Sequence, residues 1–198
     1  MNQSTKPAPK STPKSTLIPT LTDEETRELT HIQKIKTFKK GDILIRENDI
    51  IKQYYFVING CVRSYSLING EEVTIDFFTE NQAVLPAIIG ENSPSAHYLV
   101  CVENCTLSIV DDKMEQAVFK RFPRLKQLCH KSTEQMLIEN QNEQLRFKSS
   151  NPEQRYQYFL SQRAELLNRV PQHQIASYLA IKPESLSRLR KRLEQQKN

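Results

Sequence analysis

The sequence predicts an α+β protein: a β-rich body, one long connecting helix and a small helical C-terminal domain. Three observations lead there. Apolar residues alternate from Phe38 to about Val110. After Asp111 the apolar spacing changes from two to three and four, the change expected where strands give way to helices. The third observation is charge. The 198 residues hold 28 Lys+Arg against 23 Asp+Glu, a formal net charge of +5, and the excess is unevenly placed. Residues 1–20 have three lysines and no acid, residues 21–162 have 17 basic and 20 acidic residues, and residues 163–198 have eight basic and three acidic residues. A mildly acidic body with a basic C-terminus points to an anionic partner. No apolar run reaches the roughly 18–20 residues of a membrane span, and no secretory pattern opens the chain. A soluble, cytoplasmic protein without membrane partners is expected.

The elements follow in order. Residues 1–20 are Ser, Thr, Pro and Lys with too little apolar surface to offset ordering, so a disordered tail is expected. Thr22-Asp23-Glu24-Glu25 marks a helix start, with Leu29 and Ile32 on one face. Asn59-Gly60 and Asn69-Gly70, each between apolar runs, predict two successive hairpins. Val73, Ile75 and Phe77 alternate, as do Tyr98, Val100 and Val102, then Cys105, Leu107 and Ile109. Asp111-Asp112 open a short helix that stops before Pro123. A long helix then runs from about Arg124 to Lys148, with Leu125, Leu128, Cys129, Ser132 and Met136 on one stripe. That stripe predicts a dimer seam, with packing onto its own β body as the alternative. Asn151-Pro152 starts the last section, through Tyr156, Phe159 and Leu166. The expected divisions are 1–20 as tail, 21–122 as β body, 123–148 as dimerisation helix and 149–198 as DNA-binding domain.

The C-terminal motif carries the function. Residues 172–192 place Ile175, Leu179, Ile181, Leu186 and Leu189 as apolar positions around a small Ala176. That is the pattern of two short helices crossing around a tight turn. Pro183 suits the first turn of the second helix, where its missing N–H is no loss. The outer face of that helix is basic. A helix-turn-helix reading DNA explains the charge and the apolar pattern together, whereas a structural hairpin leaves the basic face unexplained. Membrane binding would want large apolar residues on the outward face, and here the leucines already cover a partner helix. Lys182, Ser185 and the N-terminus of the second helix are expected at phosphates, with Arg190, Lys191 and Arg192 adding phosphate contacts, and Gln172 is expected at the DNA interface. Arg188 is expected on guanine O6 and N7, and Glu184 on a cytosine amino group.

Residues 21–193 resemble the Crp/Fnr family of bacterial transcription regulators. The residues that carry the resemblance are Gly41-Asp42, Phe56 through Arg63, Asn69-Gly70, Ile175-Ala176 and Glu184-Ser185-Leu186-Ser187-Arg188. The resemblance implies a cyclic-nucleotide-binding-like double-stranded β-roll, a dimerisation helix and a C-terminal helix-turn-helix. It also implies a homodimer on double-stranded DNA, with RNA polymerase and an unidentified small-molecule effector as further partners. On the family pattern Glu184 and Arg188 match base-reading positions and Ser185 a phosphate contact. The family's Arg beside that Glu is Pro183 here, and its turn Gly is Ala180. The sequence closes at Asn198, so a helix-turn-helix without a full wing is expected. The effector pocket would be lined by Leu85, Ser95, Ala96 and His97. Yet from Ser64 to Asp112 the chain has no Lys or Arg against eight Asp and Glu. A desolvated cyclic phosphate needs a fixed cation or several N–H donors. Control by cyclic AMP through the usual Arg is therefore not expected; a different effector, a non-standard mode, or a ligand-free scaffold is. A β-roll interaction protein whose basic hairpin binds another protein is the remaining alternative.

Cys61, Cys101, Cys105 and Cys129 provide one close pair and no second, so no metal site is expected and all four read as small core residues. His31, His97, His130 and His173 are scattered. No nucleophile elbow, P-loop, HExxH or dinucleotide turn is present, so neither enzyme activity nor a cofactor is expected.

Overall fold

The computed structural model describes residues 21–84 and 94–195. The expected N-terminal tail and Leu85 lie outside the described residues.

Helix α1 (Asp23–Ile32) starts where the Thr-Asp-Glu-Glu pattern places it. The Glu25 N–H donates to Thr22 Oγ1 at 3.2 Å, and the Thr22 N–H donates to the Glu25 carboxylate at 2.7 Å. This reciprocal pair satisfies two backbone donors that the helix cannot. The Glu25 carboxylate also accepts from Arg124, which ties α1 to the start of the long helix. The Thr22 N–H and then Arg124 hold that carboxyl below the usual carboxylate range.

Strands β1 (Lys34–Phe38), β2 (Ile43–Ile45), β3 (Gln53–Asn59), β4 (Val62–Ile68), β5 (Glu71–Phe78), β6 (Ala83–Val84), β7 (Tyr98–Cys101) and β8 (Cys105–Asp111) form two four-stranded sheets. Their orders are β1-β8-β3-β6 and β2-β7-β4-β5, with antiparallel pairing. Between them lies a core of Tyr55, Val57, Val62, Val84, Leu99, Cys101, Cys105 and Leu107. This is the expected β-roll.

The two Asn-Gly turns differ. Asn69 and Gly70 both take positive φ, +54° and +82°, and join β4 to β5 in a true hairpin, as expected of a type I′ turn. The expected hairpin at Asn59-Gly60 does not form. β3 pairs with β8 and β6, while β4 belongs to the opposite sheet. At that corner only Gly60 turns left-handed, φ +107°, and a Cβ there would lie 2.7 Å from Cys105 Sγ and 2.8 Å from the Asn104 carbonyl. Its glycine serves a sheet-to-sheet crossing under close backbone approach. The dipeptide alone does not distinguish the two uses, because a positive φ at glycine is common to both.

Helix α2 (Asp112–Arg121) is capped by the Asp111 carboxylate, which accepts from the Met114 N–H at 2.9 Å. Helix α3 (Pro123–Ser149) then extends with Leu125 as its single buried residue. Leu128, Ser132 and Met136 are half-buried on the same side as Leu125, but Cys129 is exposed, against the expectation that it is a core residue. On the far side Leu137 and Leu145 are 61% and 68% exposed. Helices α4 (Pro152–Arg163), α5 (Gln172–Tyr178) and α6 (Pro183–Gln195), with a 3-10 turn at Ala164–Asn168 before α5, complete the chain. Asn151 and Gln154 cap α4 as Thr22 and Glu25 cap α1.

Candidate nucleic-acid interface

Helices α5 and α6 cross around a turn in which Ala180 takes φ +51°. The Ile181 N–H donates to the Ala176 carbonyl and the Ala180 N–H to the Ser177 carbonyl, so the turn is closed by backbone bonds of 3.0 Å. Alanine tolerates this left-handed conformation at a cost of about 1–2 kcal/mol, which glycine would avoid. Leu186 and Leu189 are buried and Leu193 packs beside them, against Ile175, Ala176, Leu179, Tyr156, Phe159 and Leu166. Pro183 is the first residue of α6, and the Lys182 carbonyl accepts from the Ser185 and Leu186 N–H groups.

This packing orients the outer face. Gln172, Lys182, Glu184, Arg188, Lys191 and Arg192 are exposed, and Ser185 and Arg190 are half-buried. Among the described residues the exposed Arg188 guanidinium makes one hydrogen bond, a long 3.4 Å contact from Nε to the Glu184 carbonyl one turn back. Arg192 is placed differently: it forms an ion pair with Glu153 of α4. Part of the basic charge read as facing DNA therefore binds the protein's own acids. Arg163 pairs with Asp76 at 2.7 Å and also donates to the Phe77 carbonyl at 3.2 Å. Arg169 spans Glu80 at 2.7 Å and Glu103 at 2.5 Å. Burial alone would lower the Arg163 pKa, but Asp76 raises it, so this guanidinium stays charged. For Glu80, burial works to raise the pKa; Arg169 and the Gly60 N–H outweigh it and hold the carboxyl below its usual range.

These arginines dock the helical domain on β5 and on the turns that hold Glu80 and Glu103. Ser177 of α5 completes the seam: its Oγ accepts from the Thr74 N–H at 2.9 Å and donates to the Glu72 carbonyl at 3.1 Å. Cys61, Phe77 and Val102 of the roll enter the same apolar cluster as the helices. Two contacts fix the elbow between α3 and α4. Arg146 lies 4.0 Å from the Tyr158 ring centre and Arg155 lies 3.9 Å from that of Phe147. Arg155 also donates to the Ser150 carbonyl at 3.1 Å and the Leu179 carbonyl at 3.2 Å, tying the elbow to the end of α5. Arg155, Arg163, Arg169 and Ser177 were not singled out by sequence pattern. In sequence an arginine that meets an acid more than 60 residues away looks like one that meets phosphate.

In the roll, Ser95, Ala96 and His97 are consecutive in the chain, and the fold brings Ser66, not singled out by sequence pattern, against them. Ser66 Oγ lies 2.7 Å from His97 Nδ1, while Ser95 Oγ donates to the His97 carbonyl at 2.7 Å. Burial lowers the His97 pKa, favouring the neutral ring. Arg63 borders the stretch that lacks Lys and Arg. It is 2% exposed and faces the helical domain, where it donates to Thr74 Oγ1 at 2.9 Å and to Glu72 at 2.5 Å. Among the described residues no group of three or more His, Cys, Asp or Glu is placed to hold a metal ion, and no helix is long and apolar enough to cross a membrane.

Comparison with known proteins agrees with this architecture. Residues 35–121 match the family model of the cyclic nucleotide-binding domain. FixK2 from Bradyrhizobium japonicum superposes with a TM-score of 0.69 at 18% identity, covering 83% of this chain and 86% of that one. CLP from Xanthomonas campestris, described as a c-di-GMP-responsive global regulator, gives 0.67 at 16% identity over 87% and 92%. The catabolite activator protein of Thermus thermophilus gives 0.54 at 20% identity over 92% and 88%. No curated protein sequence matches. The family model thus covers the roll, and the overall fold is shared with these solved structures.

Proposed function

We propose that the protein is a sequence-specific DNA-binding transcription regulator of the Crp/Fnr type, working as a homodimer. The observation that carries this reading is the outward face of α6: Ser185, Arg188 and Lys191, with Lys182 just before its first turn, stand on a helix whose opposite side is locked by Leu186 and Leu189. Such a helix enters a major groove as a rigid body, with Arg188 and Glu184 at base edges and the flanking cations at phosphates. The dimer seam includes the uncovered far side of α3, with Leu137, Ile138 and Leu145. The expected seam stripe of Leu125, Leu128, Cys129, Ser132 and Met136 flanks it on the inner side. Two protomers place their reading helices about one helical turn apart on a two-fold symmetric site.

Binding to random DNA is expected to fall with salt at a log–log slope of about −4 to −7 for the dimer, since each protomer offers a few unpaired cations to phosphates. Fluorescence anisotropy across a salt series measures it. A flat response would overturn the DNA reading in favour of a protein partner for the hairpin.

The roll does not bind cyclic AMP through the family's phosphate-binding Arg. In support, Arg63 is engaged by Glu72 and Thr74 on the face turned to the helical domain. Calorimetric titration with cyclic AMP is expected to give no micromolar binding; a micromolar isotherm would refute it.

A further inference from the structure

We propose that the cleft between α3, α4 and α5 binds a small planar aromatic carboxylate, at a site separate from the roll's interior and independent of the DNA-binding reading. The half-open cleft has a volume of about 450 Å³, which suits a one- or two-ring molecule. Its apolar walls are Phe147, Tyr158, Phe159 and Tyr178, with Ile75 of β5 at the rim. Aromatic side chains on several sides favour a flat ring, which gains area and offset stacking from them.

The charge on the cleft selects a carboxylate. Three guanidiniums line it: Arg146, Arg155 and Arg163. Arg163 is neutralised by Asp76. Arg155 is held by two carbonyls and the Phe147 ring, and Arg146 by the Tyr158 ring. Among the described residues, neither of these two forms an ion pair with a carboxylate. The acids of the cleft are on α3: Glu139, which accepts from Gln135 Nε2 at 2.9 Å, and Glu143, whose charge bears on Arg163. A carboxylate at the α3–α4 elbow would take charge-assisted hydrogen bonds from Arg146 and Arg155 while its ring lies among the aromatics. A paired α3 of a second protomer would not fill this space. Glu143 and Arg146 stand on the inner side of α3, at helical spacing from Leu125, Leu128, Ser132 and Met136, whereas exposed Leu137 and Leu145 stand on the opposite side.

The test is isothermal titration of the full chain, without DNA, using benzoate, 4-hydroxybenzoate and indole-3-acetate, each beside its uncharged amide. At least one carboxylate is expected to bind one per chain with a Kd below about 1 mM, and its amide to bind about tenfold weaker or less. R146Q removes the exposed cation and should weaken the carboxylate about tenfold. I75W, at a 41% exposed position, should abolish binding by filling the cleft. Circular dichroism confirms that each variant folds, and either one folded suffices for the test. The proposal is overturned if no carboxylate binds, if acid and amide bind equally, or if a folded R146Q or I75W binds as the wild type does.

Discussion

R188A is expected to weaken binding to the cognate site by about 10- to 100-fold and binding to random DNA by only a few-fold. A bidentate arginine–guanine contact contributes about 1–3 kcal/mol of discrimination, whereas one phosphate contact contributes a sequence-independent share. The structure makes this a clean experiment. Arg188 is exposed, its one hydrogen bond among the described residues goes to the Glu184 carbonyl of its own helix, and it can be removed without opening the apolar joint under α6. Sites selected from a random DNA pool supply the cognate sequence, and anisotropy titrations on cognate and scrambled duplexes give the two losses. Equal losses would assign Arg188 to a phosphate. The companion R192A should cost less on either DNA, because Arg192 is held by Glu153 in the free protein.

R163M is expected to destabilise the protein by about 3–5 kcal/mol, the range for removing one partner of a buried ion pair. Arg163 is 8% exposed and lies where the helical domain meets β5. Without it the Asp76 carboxylate loses its cation and the Phe77 carbonyl loses a donor. Urea unfolding followed by circular dichroism measures the loss, and a change below about 1 kcal/mol would show that the seam stands on apolar packing alone. The same seam has a pH signature. Because the folded pKa of Glu80 lies below its ordinary value, the stability it contributes is present above the usual carboxylate range and is lost as pH falls through the folded pKa. The docking of the helical domain should therefore weaken on acidification and hold at neutral and alkaline pH.

Local chemistry was legible in the sequence wherever neighbours in the chain settle the outcome. Thr22 with Glu25 marked α1, Asp111 marked α2, Pro183 marked the first turn of α6, and Asn69-Gly70 marked a hairpin. Each rests on bonds or dihedrals within a few residues. The inner stripe of α6 was legible for the same reason, since three-and-four spacing defines a face before its partner is known.

What a face meets is a different matter, and only the tertiary structure decided it. Asn59-Gly60 promised a hairpin but marks a crossing between sheets, because strand pairing is settled by distant segments. The apolar stripe of α3 was visible, yet Cys129 is exposed and Leu125 is buried, since a cylinder's spacing does not say which flank the body covers. Charge shows this most plainly. The eight basic residues of positions 163–198 were countable, and their excess pointed to an anionic partner. The fold places Arg163 and Arg169 on acids of the roll and Arg192 on Glu153, leaving Lys182, Arg188, Arg190 and Lys191 without an ion pair among the described residues. Net charge is a property of composition and survives any folding. Which charges remain free is set by distances of a few ångströms between residues far apart in the chain, and those distances exist only in the folded state.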